Sequence, residues 1–222
     1  MKKAYFLTIL LLFFTLSAHA ENLLKNPDFQ SQKDGLPQSW VTGSYNKTED
    51  VQFEIIPSEN ALKISAAQDN HAYAIQEITV EPQKIYRFSA KIKTEGVPEK
   101  KNGAMLALYY NTRYSNEVYG TSGGWQEADL YFTSDAKKVP VMLSLGGYSA
   151  INHGTAYFKE VEVSQVSAAP EGTQVYKYTP AKTSSPQKTS SRRVLDPAWY
   201  GLICLLAVMI GVSLFFIYRK RK

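Results

Sequence analysis

The sequence predicts an all-β protein, a two-sheet antiparallel jelly-roll sandwich followed by one C-terminal transmembrane helix. Three observations carry this reading. Between residues 21 and 166 apolar side chains recur at period two, in short runs separated by Gly, Asn, Asp and Pro. No stretch of that region offers the 3.6-residue apolar period of a long helix. Beyond it, residues 199–218 form an uncharged apolar run, which at 1.5 Å per residue spans about 30 Å, the thickness of a bilayer core.

Taken in order, strands are expected over 51–56, 61–66, 72–80, 84–94, 104–110, 125–133, 139–146 and 155–164. An antiparallel set of this size suits two sheets whose inner faces interdigitate. Neighbouring side chains point to opposite faces, so Tyr86, Phe88, Ala90 and Ile92 face a core while Arg87, Ser89, Lys91 and Lys93 face out. Leu106, Leu108 and Tyr110 point inward against outward Ala107, Tyr109 and Asn111. Val141, Leu143 and Leu145 are core, opposite Met142, Ser144 and Gly146.

The termini read as targeting and anchoring segments. Lys2 and Lys3, an apolar stretch and then Ala18-His19-Ala20 have the layout of a signal peptide over 1–20, with cleavage after Ala20. Trp199, Tyr200 and Tyr218 flank the apolar run at headgroup level, and the basic tail Arg219-Lys220-Arg221-Lys222 at 219–222 follows at once. The positive-inside rule places that tail in the cytoplasm and the preceding domain outside. Residues 167–198 are rich in Ser, Thr, Pro and Lys and read as a flexible stalk. The expected localisation is that of a single-pass membrane protein at a cell surface, bacterial rather than eukaryotic, because the exported domain has no disulfide. The short tail layout is similar to those read by bacterial sorting transpeptidases, although no Leu-Pro-x-Thr-Gly occurs.

Charge and cysteine content exclude other classes. The formal charge of +5 belongs to the signal, stalk and tail; residues 21–166 hold 14 basic and 18 acidic side chains, net −4. A mildly acidic domain is not a nucleic-acid binder. The single cysteine, Cys204, lies in the apolar run, so the domain has no thiolate chemistry. His71 and His153 fall in expected loops without a partner motif, and no nucleophile with a base or phosphate cradle is evident, so an enzyme is not expected.

The opening Asn22-Leu23-Leu24-Lys25-Asn26-Pro27-Asp28-Phe29 is followed by Gly35-Leu36-Pro37 and Trp40. Further on come Gln76, Tyr86-Arg87-Phe88-Ser89-Ala90-Lys91-Ile92-Lys93, Gly124-Trp125 and Tyr157-Phe158-Lys159-Glu160-Val161. In order and spacing this series resembles carbohydrate-binding modules of families four, nine and twenty-two. The resemblance implies a galactose-binding-like jelly roll with a glycan or polysaccharide as partner and a ligand groove on the concave sheet or at the loop tips. Gln76, Arg87, Tyr109 and Asn111 occupy groove positions, with Tyr114 and Tyr119 in a Tyr-rich rim. Aromatic faces cover sugar C–H surface while polar groups fix hydroxyls. Tyr109 equally fits plain sheet surface, and Trp40 and Trp125 read as core caps. The resemblance also implies a structural calcium, to which Asp28 and Glu160 would contribute, but Gln30 and Lys159 stand where the family carries acidic residues. Two functions fit these features: a non-catalytic carbohydrate-binding module held at the membrane, and a structural or adhesion sandwich that contacts surface proteins.

Overall fold

All eight expected strands form. The computed structural model describes residues 21–109 and 113–180; the signal segment, Tyr110, Asn111 and the apolar run 199–218 lie outside these. In chain order the strands are β1 (Gln32–Lys33), β2 (Leu36–Pro37), β3 (Val41–Ser44), β4 (Val51–Ile56), β5 (Ala61–Asn70) and β6 (Ala72–Thr79). They continue as β7 (Ile85–Glu95), β8 (Ala104–Leu108), β9 (Gln126–Ser134), β10 (Lys138–Leu145), β11 (Asn152–Val166) and β12 (Val175–Tyr178). Only two 3-10 turns interrupt the strands among the described residues, with no α-helix.

A four-stranded sheet in the order β3-β6-β10-β8 faces a six-stranded sheet in the order β12-β9-β7-β11-β5-β4, and β1 and β2 form a separate hairpin. The inner faces meet in one apolar cluster drawn from both sheets, with Phe88, Ile92, Leu106, Leu108, Val141, Leu143 and Phe158 buried. Tyr86 stacks on Phe132 at 5.6 Å within it. The alternation read from the sequence along β7, β8 and β10 is therefore the alternation of the sandwich. The result is an antiparallel two-sheet β-sandwich, with one exception.

That exception is β12, which pairs parallel with β9, Val175 to Tyr178 against Tyr131 to Ser134. It lies within 167–198, the segment read as stalk, so folded structure continues past 166. Tyr178 is buried and Tyr176 packs against the core, an alternation with exposed Val175 and Lys177 that the surrounding Ser, Thr and Pro residues mask.

The N-terminal segment ties the two sheets together. Strand β11 carries a bulge between Lys159 and Glu162, with Glu160 at φ +51, which frees backbone groups from the ladder. Asn22 takes them up. Its amide nitrogen donates to the Val161 carbonyl at 2.9 Å and its oxygen accepts from the Val163 N–H at 3.0 Å. A few residues on, Phe29 is fully buried against Trp40, whose indole N–H donates to the Asn26 carbonyl.

Candidate functional site

The outer face of the four-stranded sheet carries a cleft of about 490 Å³. Register dictates its floor, because directly opposed residues of antiparallel strands share a face. One cross-strand row runs Gly43, Tyr73, Ser144, Met105, and the next runs Val41, Ile75, Met142, Ala107. Met105, Ala107 and Met142 point away from the core and are nevertheless buried, since the cleft walls cover them. Gly43 permits this arrangement: a Cβ there would lie 2.8 Å from Cε2 of Tyr73.

Tyrosines make the walls. Tyr73 and Tyr109 sit with ring centroids 6.0 Å apart, and Tyr114 lines the same cleft. Tyr109 is set by its backbone N–H, which donates to the Pro140 carbonyl at 3.0 Å and extends the β8–β10 pairing. At the rim Tyr45 and Tyr148 meet edge to face at 4.8 Å, 54% and 72% exposed. The Tyr148 hydroxyl raises the Tyr45 phenol above its ordinary pKa.

Two buried asparagines hold the rim loops. Asn70 accepts the Asn46 N–H at 3.0 Å through Oδ1 and donates to the Lys47 carbonyl at 3.2 Å. Asn152 donates to the carbonyls of Pro98 at 2.8 Å and Asn102 at 2.9 Å. Both sit beside Gly146, at φ +71, where a Cβ would fall 2.4 Å from the Asn70 carbonyl oxygen. Only glycine fits there.

His71 closes one wall, 5.1 Å from the Tyr73 ring and 6% exposed. Burial pushes its imidazole pKa down to about 4, so the ring is neutral at physiological pH. Its Nε2 is buried without a hydrogen-bond partner among the described residues, an omission that ordinarily costs about 1–3 kcal/mol. Among the described residues no Asp, Glu, Lys or Arg lines the cleft.

The sequence-predicted residues separate. Tyr109 and Tyr114 lie in the cleft. Gln76 does not; it is on the inner face of β6 with Ala74 and Ile78, and its amide clasps the backbone of Lys25, accepting from N–H at 2.6 Å and donating to C=O at 2.8 Å. Arg87 is on the outer face of the other sheet, paired with Asp129 at 2.7 Å. Tyr119 packs against the core and donates its hydroxyl to Glu117; burial and that carboxylate push its phenol up to about 12. Asn111 is outside the described residues.

Asp28 is exposed and caps only the Gln30 N–H, while Glu160 pairs with Lys91 at 2.7 Å. The described residues hold no group of three His, Cys, Asp or Glu side chains suited to a metal ion. Trp40 is a core cap as expected, but Trp125 is half-buried with Lys159 and Lys93 at 4.4 and 5.2 Å from its ring. His153 lies on β11 rather than in a loop and bonds Asp69 at 2.7 Å.

Sequence reasoning missed Tyr45, Tyr73, Tyr148 and His71. Parity along β6, with Ala72, Ala74 and Ile78 inward, would have turned Tyr73 outward.

Solved structures similar to this chain include carbohydrate-binding modules, as well as parts of a bacteriophage tailspike protein and of an α-L-arabinofuranosidase. A family 4 module shares 18% identity at a TM-score of 0.44, covering 64% of this chain and 99% of its own. A family 61 module in complex with β-1,4-galactotriose gives the same identity and TM-score, with coverages of 66% and 100%. The family 22 xylan-binding domain from Paenibacillus barcinonensis is 14% identical at 0.42, with coverages of 68% and 97%. No family model and no curated protein matches the chain.

Proposed function

We propose that the domain is a non-catalytic glycan-binding module, exported by residues 1–20 and held at the cell surface by a membrane span over 199–218. The observation that carries the reading is the cleft: tyrosine walls, a floor of Met105, Ala107 and Met142, and no charged side chain among the described residues that line it. Such a surface suits a sugar ring, whose C–H faces are apolar and whose rim of hydroxyls needs only a few polar partners. The volume of about 490 Å³ admits a short stretch of oligosaccharide.

The test is affinity electrophoresis against a panel of neutral polysaccharides together with a glycan array. Tyr73→Ala and Tyr109→Ala are expected to weaken binding about tenfold each, whereas Arg87→Ala, on the opposite sheet, leaves it unchanged. Silence of the wild-type domain across the panel would refute glycan binding and favour the adhesion reading.

A further inference from the structure

We infer that His71 is the specificity-determining polar group of the cleft, its Nε2 pairing with a hydroxyl of the sugar seated against Tyr73. The inference rests on the glycan reading of the cleft and adds to it the atom that reads the ligand. Among the residues lining the cleft His71 combines three properties. Its ring is a wall of the cleft and lies 5.1 Å from Tyr73. The residue is more than nine-tenths buried, and Nε2 has no hydrogen-bond partner among the described residues.

Three other polar side chains at or beside the cleft already donate to groups of the protein. Ser44 Oγ donates to the Asn46 carbonyl at 3.2 Å, Ser144 Oγ donates to the Gly146 carbonyl at 2.7 Å, and Asn102 Nδ2 donates to Glu117 at 2.8 Å. An imidazole held neutral by burial presents either a donor or an acceptor at Nε2, according to tautomer. A sugar hydroxyl is both and satisfies either form. A purely apolar ligand leaves the nitrogen unpaired, so the histidine discriminates hydroxylated rings from greasy ones. Tyr45 and Tyr148 at the rim above are exposed side chains, of the kind that changes rotamer rapidly.

The experiment compares wild type with His71→Phe, His71→Gln and His71→Asn by titration calorimetry, using soluble xylan, β-1,4-galactan and cellohexaose as probes. Folding of each variant is checked by melting. The glutamine amide reaches the position of Nε2, whereas the asparagine amide reaches only that of Nδ1. His71→Phe and His71→Asn are expected to lose about tenfold or more on the probe that wild type binds, and His71→Gln to stay within about threefold. Affinity of wild type should remain level from about pH 8 to about pH 5.5, as a histidine titrating well below its ordinary value requires.

Full affinity in His71→Phe overturns the inference alone, as does equal retention by the asparagine and glutamine variants. Should His71→Phe fail to fold, the contrast between glutamine and asparagine still decides. If wild type remains folded yet binds none of the three probes and nothing on the polysaccharide panel or glycan array, the glycan reading falls and this inference with it; a ligand found there replaces the three as the probe.

Discussion

Replacing Gln76 by leucine separates a structural role from a ligand-binding one. The side chain is 6% exposed and makes a two-way clasp on Lys25, with heavy-atom distances of 2.6 and 2.8 Å. Leucine conserves most of the volume and removes both hydrogen bonds, each with a net worth of about 0.5–1.5 kcal/mol. The Lys25 N–H and C=O are left facing an apolar side chain. Because Lys25 itself is exposed, water recovers part of the loss, and the expected cost is about 2 kcal/mol. For a domain of this size that corresponds to a fall of about 4–8 °C in melting temperature. Differential scanning calorimetry measures it, and the same protein is then titrated with glycan below its transition, where affinity should match wild type. A melting temperature within about 1 °C of wild type, combined with lost glycan affinity, would refute the assignment and return Gln76 to the ligand site.

Gly43→Ala tests the floor from the other side: its Cβ would stand 2.8 Å from Cε2 and 2.9 Å from the hydroxyl of Tyr73, so the ring is displaced from the cleft. Binding should weaken with less than about 1 kcal/mol lost in urea unfolding, and unchanged affinity would show that Tyr73 is not a contact surface. Chelation addresses the calcium implied by the sequence resemblance. With Asp28 exposed and Glu160 held by Lys91, EDTA is expected to leave the melting temperature unchanged, and a drop reversed by added calcium would contradict this.

Period-two alternation made the strands legible, and it did so where a strand buries one face of bulky residues, as Tyr86, Phe88, Ala90 and Ile92 do. It failed for β3, four residues long with Gly43 in the middle, and for β12, whose two inward tyrosines sit in a disorder-like composition. Alternation also has a built-in limit. It tells whether a side chain points in or out, but a sandwich has two outer faces, and nothing local assigns a strand to one sheet or the other. Arg87 and Tyr109 were both correctly turned outward and proved to lie on different sheets. Gln76 failed for a different reason: its amide is satisfied by Lys25, 51 residues away, a pairing that no local pattern announces. The rim pair Tyr45 and Tyr148 is likewise brought together by loops that Asn70 and Asn152 hold from a distance.

The two outer faces differ in chemistry in a way that bears on where recognition occurs. On the six-stranded sheet the cations are answered locally: Lys63 by Glu54, Arg87 by Asp129, Lys91 by Glu160 and Lys93 by Glu59. These pairs are partly exposed, so each contributes little to stability, but together they leave a face whose charges are already compensated and hydrated. A ligand landing there would have to displace partners that the fold already supplies. The four-stranded sheet presents the opposite situation: apolar and aromatic surface sunk below a rim and, among the described residues, no charge in its lining and one buried nitrogen unpaired. Burial of a ligand there removes tyrosine surface from water, at about 25 cal/mol per Å², without breaking an existing ion pair. The balance of desolvation against gain therefore favours the cleft over the charged face, even though the charged face carries Trp125 and the larger sheet.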